Sequence, residues 1–362
     1  MCQGIARHAD QRITRVTSQL QTEILEQPTV LRRLLTEERD QIARVAQAIR
    51  NAAPKFVVLA ARGTSDNAAR YSQYLFSTMN GLQAALATPS TFTIYGKPPR
   101  LHDALVIAIS QSGQSPDIIS VVEEGRRQGA LTVVVTNAPD SPLARAADYT
   151  IYLHAHPELA IGATKSYTTS LMAMAMLSDA IAQTDRLIDP LTFVPDWVNE
   201  VTERADSIIR AAERYAYIQY GVVTSRGYNY ATAYEIALKL KELTYVKTEP
   251  YSSADFLHGP IALVEQGFPV IAVVPEGVLE AELTAFAQKL SAERGADLIV
   301  IASNPAALQV AQTPLAIPVG IPEWLSPIVA VVPGQLFTLG LALAKRLDPD
   351  RPRGLLKVTL TA

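Results

Sequence analysis

Residues 106–117 read VIAISQSGQSPD. The apolar run Val106 to Ile109 stops at Ser110. A turn of three serines, two glutamines and a glycine follows, and then Pro116-Asp117 opens the helix-like PDIISVVEEGRRQG. A short apolar run bounded by turn residues reads as a strand buried on both faces, the kind found in parallel sheets. The same alternation extends to either side. Upstream, KFVVLAARGTS (55–65) is a strand ending in a turn, and DNAARYSQYLFSTM (66–79) has helical composition. LQAAL (82–86), LTVVVTN (131–137) and YTIYLHA (149–155) are further strands, with the helical SPLARAA (141–147) between the last two. Strands separated by helices predict a doubly wound parallel α/β sheet.

The pattern then repeats. AYIQYGVVTSRGYNYATAYEIALKLKEL (216–243) mirrors the first unit, with Arg226-Gly227 in the place of Arg62-Gly63. FPVIAVVPEG (268–277) matches ALVIAISQSG, ADLIVIAS (296–303) matches LTVVVTN, and TPLAIPVG (313–320) matches YTIYLHA. An offset of roughly 165 residues holds for each pair, which marks a duplicated fold. The Asp- and Pro-containing AQTDRLIDPLTFVPDW (182–197) reads as the connector. The expected organisation is a helical segment over 1–45, two α/β domains over 46–195 and 196–345, and a tail over 346–362.

The copies differ where a ligand would sit. The first has Ser110-Gln111-Ser112-Gly113 and the second Val274-Pro275-Glu276-Gly277, so the fold needs the strand but not the hydroxyls. In open parallel sheets ligands bind beyond the carboxyl ends of the strands, where unpaired helix amides attract anions. Hydroxyls add neutral donors and glycine lets the backbone approach closely. Two such turns, Gly63-Thr64-Ser65 and Ser110 to Ser115, face one crevice and together suit a phosphate without an arginine. Helix N-capping uses the same residue types and is the plainer alternative for either turn alone. A dinucleotide fingerprint is excluded, because ARGTSDNAAR has a single glycine where G-x-G-x-x-G is needed.

Composition narrows the class. The chain has 362 residues, 48% hydrophobic and 19% charged, with a net charge of −3, which suits an enzyme and gives no basic footprint for nucleic acid. Lys and Arg never run longer than two, so a membrane-surface patch is not expected either. One cysteine, Cys2, permits no intrachain disulfide, and five dispersed histidines predict no metal site. MCQGIA faintly resembles enzymes whose nucleophile is a cysteine exposed by loss of Met1; an ordinary thiol at a frayed terminus is the simpler reading. Charged residues at 7, 10, 12 and 15 interrupt any signal-peptide core, which predicts a cytoplasmic protein. The uncharged run Trp324 to Ala344 contains Pro327, Pro333, Gly334 and Gln335, and reads as a buried strand end and helix rather than a membrane span.

These features resemble the SIS (sugar isomerase) domain family, specifically the isomerase portion of glucosamine-6-phosphate synthase and its stand-alone deaminase and isomerase relatives. The likeness runs from TEILEQPTVLRRLL at Thr22 to RPRGLLKVTLT near the C-terminus. It rests on RGTSDNA, SQSGQSPD, GATKSYTTSL, EIALKLKELTYVKTEPYSSADFLHGPIAL and DPDRPRGLLKVT. The resemblance implies two tandem SIS domains, flavodoxin-like three-layer sandwiches, with the serine turn as sugar-phosphate cradle. It also implies a cofactor-free enzyme without metal, acting as a homodimer with a shared active site.

Aldose–ketose interconversion needs a ring-opening acid/base and a base that moves a proton between adjacent carbons. In EIALKLKEL, Glu235, Lys239 and Glu242 are spaced i, i+4, i+7; Glu242 lies within about 20° of Glu235, so all three line one helical face, with Lys241 elsewhere. By pattern alone this is a solvent-facing charged stripe. By resemblance, Glu242 matches the proton-transferring base, while Glu235 and Lys239 match residues around the sugar. His258, in FLHGPIAL, matches a ring-opening acid/base supplied by the neighbouring subunit. Lys357, in GLLKVTLT, matches a lysine that reaches the sugar's carbonyl carbon, and Glu158 an acidic residue of the same pocket. The synthase has a serine where this chain has Ala163, and no glutamine-hydrolysing domain precedes residue 22. The expectation is therefore deamination or isomerisation of an amino-hexose or ketohexose 6-phosphate. Deglycation of a fructosamine 6-phosphate is the alternative, and a non-catalytic sugar-phosphate-binding regulator the rival. Regulators often carry a helix-turn-helix domain, for which the N-terminal stretch is too short.

Overall fold

The computed structural model describes residues 18–184 and 188–357; Cys2 lies outside the described residues. The first sheet is built from β1 (Phe56–Ala60), β2 (Gln83–Leu86), β3 (Ala104–Ser110), β4 (Leu131–Thr136) and β5 (Tyr149–Tyr152), in the order β2-β1-β3-β4-β5. The second is built from β6 (Tyr220–Ser225), β7 (Lys247–Ser252), β8 (Pro269–Val274), β9 (Asp297–Ala302) and β10 (Thr313–Ala316), in the order β10-β9-β8-β6-β7. All pairings are parallel. Taken from the other edge, the second sheet has the same strand order as the first, the flavodoxin-like 2-1-3-4-5 order. The duplication visible in the sequence is a duplication of topology.

Strand β3 shows why the run is apolar without a break: all seven residues are buried. Leu105, Ile107 and Ile109 face a central core, while Val106 and Ala108 face an outer one with Ile118, Val121 and Val122 of the Pro116–Arg127 helix. The central core is continuous through both copies, passing through the Lys165–Ala182, Tyr230–Thr244 and Ser326–Ala344 helices. The two sheets thus share one interior and hold their crevices in a fixed relation.

The run Trp324 to Ala344 contains no strand end. Ser326–Ala344 is one helix with Pro333 inside it, long and apolar enough to cross a membrane but almost wholly buried by the protein. Pro327 sits in the first turn, where a missing N–H costs little. Pro333 removes one interior bond at a cost of about 3 kcal/mol, offset by burial on all sides. Three helices, Gln19–Leu25, Gln27–Glu37 and Arg39–Ala52, lead into the first sheet and pack on the Lys165–Ala182, Val194–Thr202 and Ser326–Ala344 helices. The expected boundaries after residues 45 and 195 fall inside the Arg39–Ala52 and Val194–Thr202 helices.

Candidate active site

Strands β1 and β3 are neighbours in register, Ala60 beside Ala108, so the turns that follow them open on one crevice. Gly63 has φ 55° and ψ −129°, a backbone that a side chain would strain, and it starts the Thr64–Met79 helix. Gly113 has φ 62°, and a Cβ there would collide with the Ser141 hydroxyl. Its amide donates to Ser110 Oγ at 3.1 Å, so Ser110 braces the turn from within.

A cavity of about 300 Å³ lies in this crevice. Gly63, Thr64, Ser65, Ser110, Gln111, Ser112 and Ser115 line it. Lys239, Glu242 and Lys357 also line it, brought from the second copy and the tail. Gly113, Glu158 and Glu235 stand behind the wall rather than in it, and His258, exposed at the end of the Ser253–Leu257 helix, does not line the cavity.

The Glu-Lys-Glu face is a buried network rather than a solvent stripe. Lys239 and Glu235 are both buried, while Lys241 is exposed. Lys239 Nζ donates to Glu242 Oε2 at 2.5 Å and lies 3.5 Å from Glu235 Oε1. Glu235 also accepts from Thr64 Oγ1 at 3.1 Å and from Asn67 Nδ2 at 2.7 Å, which ties the second copy to the start of the Thr64–Met79 helix. Burial pushes the Glu235 carboxyl above its ordinary value despite the Lys239 ammonium. Burial opposes the charge on Lys239, but Glu235 and Glu242 outweigh it and hold the ammonium protonated well above its usual range.

Lys357 is held by a second pair. Its Nζ donates to Glu158 Oε2 at 3.0 Å and to the Ala160 carbonyl at 2.5 Å. Glu158 is buried and accepts from the Thr164 and Ser166 amides and the Ser166 hydroxyl. Burial works against its charge, yet Lys357 and these donors win and hold its carboxyl below the usual range. The cavity therefore brings hydroxyl and side-chain amide groups together with a carboxylate and two ammonium groups.

Sequence reasoning missed several lining residues. Arg62 enters the wall, contrary to the expectation of a cradle without arginine, and is paired with buried Asp117 at 2.7 Å. Its position beside Gly63 was the available signal. Tyr167, Ser166 and Ser170 reach the cavity from the Lys165–Ala182 helix, and Leu355 and Leu356 from the tail. The Tyr167 hydroxyl is buried and unpartnered, and burial with the nearby Glu235 charge pushes its pKa well up. Among the described residues no group of three or more His, Cys, Asp or Glu is placed to hold a metal ion.

The second copy's equivalent turn is closed by its own side chain. Glu323 accepts from the Val278 amide at 2.8 Å, and a Cβ on Gly277 would collide with the same Glu323 oxygen. A carboxylate fills the place beside that turn, so the asymmetry in sequence is an asymmetry in structure.

Lys239 gives a direct test of the buried network. Removing one partner of a buried ion pair costs about 3–5 kcal/mol, so Lys239→Met should lower stability by that order in chemical denaturation. Without its ammonium, Glu235 has a folded pKa still further above the unfolded one. Such a group stabilises at low pH and loses that contribution as pH rises. The deficit should therefore shrink towards about pH 5; a deficit independent of pH would argue against a buried Glu235 charge.

The chain matches the SIS domain family over residues 52–179 and 222–345. It is 33% identical over 344 residues to the glutamine–fructose-6-phosphate aminotransferase (isomerizing) of Thermococcus kodakarensis, covering 92% of this chain and 56% of that protein. The same enzyme of Thermus thermophilus is 34% identical, with 92% and 57% covered. The chain thus spans about half the length of the curated relatives it matches. Among solved structures, a Silicibacter pomeroyi protein assigned as a phosphosugar isomerase superposes with a TM-score of 0.82 at 33% identity, covering 92% of this chain and 100% of that one. The C-terminal domain of the Francisella tularensis glucosamine-fructose-6-phosphate aminotransferase gives 0.83 at 26% identity, covering 92% and 98%.

Proposed function

The chain belongs to the SIS domain family, and from that premise we propose that it is a phosphosugar isomerase acting on an amino-hexose or ketohexose 6-phosphate. The observation that carries this reading is one cavity lined both by the hydroxyl-rich turns of the first copy and by the Lys239–Glu242 pair of the second. The phosphate lies against Thr64, Ser65, Ser110, Gln111, Ser112 and Ser115. Glu242 moves the proton between C1 and C2, with Lys239 orienting its carboxylate. Lys357 polarises the carbonyl or forms an imine with it. The relatives named for fructose 6-phosphate and the isomerase-assigned structure support the substrate class.

His258 is exposed, beside exposed Leu257 and Leu263. That placement supports a homodimer in which His258 of one subunit opens the sugar ring in the other's cavity. The preferred reaction is isomerisation coupled to loss of the amino group. Ala163 presents a methyl in the cavity wall where the resemblance implies a serine in the synthase, so one polar contact to the sugar is absent.

Incubation with glucosamine 6-phosphate, measuring ammonia and fructose 6-phosphate, tests this. Equal amounts of both are expected. Release of an amino acid from a fructosamine 6-phosphate without ammonia from glucosamine 6-phosphate would establish the deglycase instead. Ser110→Ala with Ser112→Ala should weaken fructose 6-phosphate binding by about 1.5–3 kcal/mol for each charged hydrogen bond lost. An unchanged calorimetric dissociation constant would remove the cradle from this crevice.

A further inference from the structure

Glu23 is wholly buried on the Gln19–Leu25 helix and does not line the cavity. Its Oε1 accepts from the Leu159 amide at 2.5 Å and from Gln19 Nε2 at 2.9 Å, and its Oε2 accepts from the Ala160 amide at 3.2 Å. Two other charges face it. Glu158 repels it, and Lys165 attracts it while being paired with Glu26 at 2.6 Å. Burial raises its carboxyl above the ordinary value, with the Leu159 amide and Gln19 pulling the other way. A buried carboxylate is costly unless its oxygens are well bonded, so what this one holds matters.

It holds the segment that docks Lys357. Glu158 Oε2 and the Ala160 carbonyl receive the Lys357 ammonium, and the residues whose amides Glu23 accepts are Leu159 and Ala160. The same helix also secures the tail, because the Gln19 and Leu20 amides donate to the Asp350 carboxylate at 2.8 and 2.9 Å. Between Asp350 and Lys357 lie Leu355 and Leu356 of the cavity wall. Helix, loop and tail therefore close a ring of three charged links: Glu23 to the 158–160 loop, Lys357 to that loop, and Asp350 to the helix.

We propose that Glu23 is a positioning residue, fixing through the Leu159 and Ala160 amides the two acceptors that orient Lys357 in the cavity. Its effect on turnover rests on the isomerase reading above; its effect on Lys357 does not. The experiment has one readout for each. In the full-length protein, acetylation of Lys357 followed by mass spectrometry should be severalfold faster in Glu23→Gln than in wild type, with exposed Lys55 unchanged as the control for reagent and buried Lys239 still protected as the control for global unfolding. Leu159→Pro deletes the amide donor at a residue 67% exposed and leaves Glu23 in place; it should give the same increase. Unchanged Lys357 labelling in both variants would overturn the proposal even if the protein turns over no sugar phosphate.

On the substrate identified by the ammonia assay, Glu23→Gln should lower kcat about ten- to a hundredfold, as displacement of a reacting group does, with KM within about twofold. In a Lys357→Met background the same substitution should have no further effect. Multiplicative losses in the double variant would mean that Glu23 acts without Lys357, and would overturn the catalytic half.

Discussion

Glu242→Gln is expected to lower turnover by about 10²–10⁴-fold, or roughly 3–5 kcal/mol of barrier, the usual share of a general base. Glutamine keeps the shape and one acceptor for Lys239 but takes no proton at neutral pH. Binding of a hexose 6-phosphate should change little, because the turns proposed to hold the phosphate belong to the other copy. A surface carboxylate partnered with a lysine would lose less than about 0.5 kcal/mol of stability and almost no rate. The burial of Lys239 between two carboxylates argues against that outcome. A variant that keeps more than about a tenth of wild-type kcat lies outside the general-base range and removes Glu242 from the chemistry.

Mixing two inactive variants should restore activity. If His258 serves the neighbouring cavity, Glu242→Gln and His258→Ala subunits that exchange into heterodimers rebuild one intact site per heterodimer. Random exchange then returns about a quarter of wild-type activity for a two-fold dimer with shared sites. The exposure of His258 on the chain that carries Glu242 in its cavity wall is the structural reason to expect it. Proven subunit exchange without recovery would mean that each chain builds its own site.

How much was legible depended on what each residue packs against. Strand β3 was readable because burial on both faces makes it uniformly apolar, and β8 repeats that pattern. Strand β7, KTEPYS, is an edge strand with mixed exposure and a proline, so its composition gives no strand signal and the register with β6 alone defines it. The Glu-Lys-Glu face was legible from helical spacing, but its burial was not: that comes from Thr64 and Asn67, which meet Glu235 from the other copy. Glu23 was invisible for the same reason, since the amide it accepts is 136 residues away. Tyr167 belongs to the motif GATKSYTTSL, yet only the packing of its helix beside Glu235 shows an unpartnered hydroxyl at the cavity.

In the proposed reaction the crevice moves a proton between adjacent carbons of a bound sugar phosphate, rather than merely holding the ligand. It is tested most directly by NMR of glucosamine 6-phosphate, fructose 6-phosphate and a fructosamine 6-phosphate incubated with the protein, with binding measured by calorimetry on the same samples. At least one bound compound should show its carbonyl carbon exchanging between C1 and C2 in wild type and not in Glu242→Gln. Tight binding of these compounds with no change at C1 or C2 in wild type would contradict it and leave a sugar-phosphate sensor.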